Sequence, residues 1–181
     1  ARGESVTLTG RTGAGKSTVF KLLLGLYRPQ EGSVRILGAD AASIPPHLRR
    51  RLFVYVEQAF RLVPGTVLER ITLWDDDISR EKAEEAARLV GLHETICTLE
   101  QGYDTPCKEG LFSQGQFQLL AIARAVAADP AILLLDEITA NLDGDTEQAV
   151  LTALERAAAR RTVVSISHRL YRRTGGRQIP I

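Results

Sequence analysis

Gly10-Arg11-Thr12-Gly13-Ala14-Gly15-Lys16-Ser17 is the stretch on which the fold of this 181-residue chain turns. It fits the pattern G-x-x-x-x-G-K-[ST] and is followed by Thr18. The residues before it, 6–9, form a short β-rich run that stops at Gly10. Residues 16–26 read as a helix with Val19, Leu22, Leu23 and Leu26 on one face. Strand, glycine-rich loop and helix in that order make an anion cradle. The glycines let the backbone curl so that successive N–H groups point at phosphate oxygens. The helix presents its positive end to the same anion. Lys16 is expected to reach the β- and γ-phosphates and the Ser17 hydroxyl to coordinate Mg²⁺. The whole run Gly10, Arg11, Thr12, Gly13, Ala14, Gly15, Lys16, Ser17 and Thr18 is the expected phosphate-binding set.

A second stretch supplies the other half of such a site. Ala131-Ile132-Leu133-Leu134-Leu135-Asp136-Glu137 is an apolar run that ends abruptly in two carboxylates. An uninterrupted apolar strand is buried on both faces, and in open α/β sheets ligands bind at the strands' C-terminal edge. Asp136 is expected to hold Mg²⁺ through its water shell. Glu137 is placed to orient or deprotonate the water that attacks the γ-phosphate. The two stretches imply a nucleoside triphosphatase with a phosphate loop and leave its kind open.

The rest of the chain alternates. Residues 33–37 and 53–56 read as strands, the second ending at Glu57-Gln58. Ser79 is a natural N-cap for a helix reaching Gly91. Residues 113–128 form a long helix with Leu119, Leu120, Ala123 and Val126 among its apolar positions. A helix from about residue 146 to 159, a strand at 162–166 and a last strand at 178–181 complete the pattern. The expected fold is α/β with a mainly parallel sheet, residues 1–59 and 130–181 forming the core and residues 60–129 a helical insertion.

Composition narrows the classes. A hydrophobic fraction of 44% and a charged fraction of 25% belong to an ordinary globular domain. Lys plus Arg number 23 against 22 Asp plus Glu, so a net charge of +1 gives no general pull toward nucleic acid or an anionic surface. The basic runs Arg49-Arg50-Arg51 and Arg160-Arg161 read as solvated helix faces and helix C-termini. Cys97 and Cys107 lack the clustered spacing of a zinc site and are expected to have no His partner at ligand spacing. No apolar run approaches the roughly 18 residues needed to span a bilayer. The chain has no Met and starts inside a strand-like run, so it is expected to be a piece of a longer protein.

Phe112-Ser113-Gln114-Gly115-Gln116 opens the long helix and resembles the signature sequence of the ABC ATPases, usually written Leu-Ser-Gly-Gly-Gln. Its logic is a second anion site built from a hydroxyl, a close-approach glycine and a helix N-terminus. Tyr55-Val56-Glu57-Gln58 resembles the family's Q-loop, Asn141-Leu142-Asp143 its D-loop, and Ser165-Ile166-Ser167-His168 its switch histidine. The resemblance runs from Gly10 to His168. It implies a RecA-like phosphate-loop core plus a helical subdomain, with most of an antiparallel β-subdomain and the adenine-stacking aromatic residue lying upstream. It further implies ATP with Mg²⁺, and two such domains meeting head to tail as a homodimer or heterodimer. Ser113, Gly115, Gln116 and Asp143 would then touch nucleotide shared between the copies. Gln58 would sense the metal and the γ-phosphate, and His168 would contact that phosphate. Catalysis would fall to Glu137, His168, Gln58 and Lys16, and the metal to Ser17, Gln58 and Asp136.

Pro64-Gly65-Thr66-Val67-Leu68-Glu69-Arg70-Ile71 and His168-Arg169-Leu170 resemble the exporter branch, and Glu109-Gly110 corresponds to its segment facing the membrane domain. The expectation is an ATPase motor at the cytoplasmic face of a membrane, working with a transmembrane partner fused in the parent chain and with no nucleic acid. The alternative is a soluble ABC ATPase of DNA repair or translation; no long heptad-bearing insertion stands between Lys16 and Ser113. A non-hydrolysing regulatory domain is the third reading, against which Lys16, Asp136, Glu137 and His168 stand together. Departures from the family pattern are Gln114 for the first signature glycine, Phe112 for leucine, and Ala140-Asn141 where Ser-Ala is commoner.

Overall fold

The computed structural model describes residues 3–57, 63–136, 138, 142–159, 161–166 and 168–181, with backbone alone at 168 and 169. In chain order the elements are β1 (Ser5–Thr9), α1 (Lys16–Leu23), β2 (Arg35–Ile36), β3 (Ala39–Asp40), α2 (Pro46–Leu52) and β4 (Phe53–Val56). There follow α3 (Val67–Thr72), α4 (Arg80–Val90), α5 (His93–Cys97), α6 (Gln114–Ala127), β5 (Ile132–Leu135), α7 (Gly144–Ala158), β6 (Thr162–Ser165), α8 (His168–Thr174) and β7 (Arg177–Pro180). Five strands form one sheet in the order β4-β5-β6-β1-β7, every neighbouring pair parallel. The expected α/β fold is therefore the observed one.

Side-chain alternation on β5, an interior strand of the sheet, explains why it is apolar throughout. Leu133 and Leu135 face a large core shared with α3, α4, α6 and α7, whereas Leu134 faces a smaller core with Phe20 of α1 and Ile36 of β2. Leu133, Leu134 and Leu135 are all buried, as a strand covered on both faces requires. Beneath the site the hydroxyls of Thr7 and Ser165 share a buried hydrogen bond of 2.9 Å that ties β1 to β6.

Several local expectations shift. The helix expected to reach residue 26 ends at Leu23, because Gly25 (φ 64°) closes it. The N–H groups of Gly25 and Leu26 bond the carbonyls of Leu22 and Lys21, a Schellman closure. Its buried anchor is Phe20, while Leu26 is exposed. The strand expected at 33–37 is only the two residues of β2, which pairs antiparallel with β3 in a separate hairpin. The helix expected from about residue 146 begins at Gly144, capped by Asp143, whose carboxylate accepts from the Thr146 N–H at 3.1 Å. The last strand is β7, one residue earlier than expected. The Arg49-Arg50-Arg51 run occupies the last turn of α2, where cations suit the helix dipole.

The helical layer is laid out by capping. Thr66 and Glu69 close a capping box at α3, Ser79 caps α4, and Gly91 ends α4 in the left-handed region. α6 packs against α3, α4 and α7. Arg124 of α6 reaches α3 through its Nε, which donates to the Arg70 carbonyl at 2.7 Å. Burial, and then the like charge of Arg70, push the Arg124 guanidinium down to about 10. Among the described residues, no helix is long and apolar enough to cross a membrane.

Candidate active site

A parallel sheet puts all its strand C-termini on one edge, and here that edge collects the motifs. The glycine-rich loop follows β1, Asp136 follows β5, Glu57 follows β4, and Ile166 follows β6. A pocket of about 320 Å³ opens there, lined by Thr12, Gly13, Gly15, Lys16, Ser17, Thr18, Asp136 and Ile166. A larger concavity of about 710 Å³ lies between α4, the end of α6 and Arg51, with carboxylates and cations interspersed around it. Donor chemistry rather than volume selects the smaller one, since only it joins a helix N-terminus, a lysine, a hydroxyl and a carboxylate.

The loop is shaped by conformation. Gly15 is the N-cap of α1 at φ 97°, a region L side chains rarely adopt, although a Cβ there would meet open space. No side chain caps α1, so its N-terminal end is available to an anion. Lys16 Nζ donates to the carbonyls of Gly10 and Arg11 at 3.0 and 2.9 Å, holding the ammonium inside the loop's own curl. Ser17 Oγ donates to Asp136 Oδ2 at 3.4 Å across 119 positions of sequence. A hydroxyl and a carboxylate converging on one point are the hard oxygen donors that suit Mg²⁺. A residue with no role assigned from sequence joins them: the Tyr55 hydroxyl donates to the same Asp136 oxygen at 2.7 Å. Burial, and then that bond, hold its phenol well above the usual range.

The signature lies at the start of α6. Ser113 Oγ accepts from the Gln116 N–H at 3.3 Å, and Gln116 Oε1 accepts from the Ser113 N–H at 2.9 Å, a complete capping box. Gly115 is buried, and a Cβ on it would sit 1.9 Å from the Thr146 methyl of α7. Glycine at this position is thus required within the chain itself. Gln114 is exposed, and Phe112 is buried edge-on to Phe117 at 5.6 Å, so both departures from the usual signature are accommodated locally. Asp143 caps α7, and its bonds to Thr146 hold its carboxyl below the ordinary value.

Gln58, Glu137 and Asn141 lie outside the described residues, as do Ala140 and Ser167. His168 begins α8 just past the β6 edge, and its side chain is not described. The expectation that the cysteines have no His partner is corrected. His93 and Cys97 are one helical turn apart on α5, with Sγ 3.5 Å from Nε2. His93 Nδ1 in turn lies 2.9 Å from the Tyr103 hydroxyl. The i, i+4 spacing was readable in the sequence. Among the described residues no group of three His, Cys, Asp or Glu side chains forms a metal site.

This geometry defines a phosphate-loop α/β domain with an uncapped helix end at the loop and a capped one at the signature-like stretch. Known proteins carry the identification further. The model of the ABC transporter family matches residues 1–140. The chain is 40% identical over 173 residues to the alpha-hemolysin translocation ATP-binding protein HlyB of Escherichia coli O157:H7, covering 94% of this chain and 24% of that protein. It is 42% identical over 171 residues to the mitochondrial potassium channel ATP-binding subunit of Mus musculus, covering 93% and 24%. A solved bacterial Atm1-family ABC exporter with ATP bound superimposes at a TM-score of 0.85 and 36% identity, covering all of this chain and 32% of that one. The chain belongs to the ABC transporter family, as a nucleotide-binding ATPase domain of the exporter type. It spans between 12% and 28% of the length of the curated relatives it matches.

Proposed function

We propose that this domain binds and hydrolyses MgATP at the sheet's C-terminal edge and, by pairing head to tail with a second such domain, drives export through a membrane partner at the cytoplasmic face. The observation that carries the reading is the pocket in which Lys16 and Ser17, on an uncapped helix N-terminus, face Asp136. The resemblance of the whole chain to an exporter's ATP-bound structure supports it. So does the compact helical layer, in which α3 and α4 have 6 and 11 residues and form no long arm of the kind soluble repair ATPases carry.

The N–H groups at the start of α1 bind the phosphates, and Lys16 turns from its carbonyls toward the β- and γ-oxygens when they arrive. Ser17 and Asp136, with Gln58, would hold Mg²⁺. That ion, when bound, supplies neutralising charge to the phosphates. Glu137 orients the attacking water and takes its proton, and His168 contacts the γ-phosphate. Ser113, Gly115 and Gln116 of one copy complete the site of the other, with Asp143 nearby. A lone copy therefore binds ATP and turns it over slowly, for want of half the electrostatic clamp. Residues 60–129 act as the subdomain that moves the signature relative to the core.

Light scattering on Glu137→Gln, with and without MgATP, tests the reading. An ATP-dependent dimer that vanishes when Ser113→Arg is added is the expected result. A species that binds MgATP yet stays monomeric at every concentration would overturn the self-pairing of this chain.

A further inference from the structure

We propose that Tyr55 is a positioning residue for Asp136, its hydroxyl fixing the carboxylate in the orientation that the metal-bound nucleotide uses. The proposal rests on the reading that Asp136 serves the metal. Tyr55 lies on β4, opposite Leu134 of β5, so its ring falls on the α1 face of the sheet. There it packs edge-on against Phe20, with centroids 5.7 Å apart and planes at 82°. Phe20 is fully buried on the helix that carries Lys16 and Ser17. The ring is therefore clamped by the phosphate-binding helix, and its one polar atom ends on the functional carboxylate.

The two hydrogen bonds to Asp136 Oδ2 differ in strength. The Tyr55 bond, at 2.7 Å, has the length of a strong O–H···O⁻ contact, whereas that from Ser17 is 3.4 Å. Tyr55 is thus the firmer restraint on this side chain; both bonds fall on Oδ2, and among the described residues none is made to Oδ1. Glu57 follows directly on β4, so the same side chain also ties Asp136 to the chain segment that leaves this strand.

Packing alone would be met by phenylalanine, which makes Tyr55→Phe a one-atom test. The probes are Mn²⁺, followed by its electron paramagnetic resonance signal, and ATP in the presence of EDTA. Loss of an outer partner of a metal ligand typically weakens metal binding 10–100-fold. Mn²⁺ affinity of the protein–ATP complex is therefore expected to fall about tenfold in Tyr55→Phe, with metal-free ATP affinity unchanged. On an Asp136→Ala background, Tyr55→Phe is expected to add no further loss, which a merely structural role would not produce. Unaltered Mn²⁺ affinity in Tyr55→Phe, or an equal loss of metal-free ATP binding, overturns the proposal. If Asp136→Ala itself leaves Mn²⁺ affinity intact, the assignment of Asp136 to the metal fails, and the role of Tyr55 falls with it.

Discussion

α1 and α6 begin with the same physical device, a helix N-terminus aimed at an edge of the molecule, and they treat it in opposite ways. At α1 the cap is a left-handed glycine with no side-chain bond, and the nearest cation, Lys16, folds back onto carbonyls of its own loop. At α6 the end is closed by Ser113 and Gln116, which bond each other's backbone N–H groups. An anion reaching α1 finds N–H groups with no competing side chain. One reaching α6 must displace or join an existing pair. The first end stands open to an anion, as the proposed phosphate site requires. The second is stable on its own and can contribute to a site only when something else supplies the phosphate.

The largest expected effect tests the open end. Lys16→Ala should lower MgATP affinity roughly 100-fold, since hydrogen bonds to charged groups contribute about 1.5–3 kcal/mol each. Isothermal titration would show it, and unchanged affinity would mean the loop is not the primary site. A smaller effect tests what holds the closed end in place. Gly115→Ala should destabilise the chain by about 2 kcal/mol through overpacking against Thr146. That corresponds to a melting midpoint lower by about 6 °C. Thr146→Ser removes the obstructing methyl and keeps the N–H that caps on Asp143, so the double variant should recover most of the loss. If it does not, the contact is not what demands glycine there. Ser113→Ala comes last. It should cost about 1 kcal/mol of helix capping while leaving MgATP binding to a single chain untouched. A loss of single-chain binding in this variant would erase the distinction between the two helix ends.

Both helix ends were visible in the sequence, because the signals are local. A glycine-rich octapeptide before an apolar-faced helix, and a Ser three residues ahead of a Gln, need only nearest turns to be read. The same holds for Ser79 and Gly91 bracketing α4, and for the apolar run of β5. Short elements were less legible. α2, α5 and α8 have 7, 5 and 7 residues, too few for a periodicity to emerge. The reach of α1 was overdrawn because Leu26 fits the helical period, while Gly25 had already turned the chain.

The sequence by itself determined the chemistry on offer: a phosphate cradle at Gly10 to Ser17, two carboxylates at the end of a buried strand, and a capped helix at Ser113. It did so because hydrogen-bonding capacity, backbone freedom and capping belong to residues a few positions apart. Only the tertiary structure decided which groups meet. It set the strand order β4-β5-β6-β1-β7, the approach of Tyr55 to Asp136 from 81 positions away, and the contact of Gly115 with Thr146. Those depend on sheet register and helix packing between distant segments, where a shift of one residue turns a side chain to the opposite face and no local pattern records the choice.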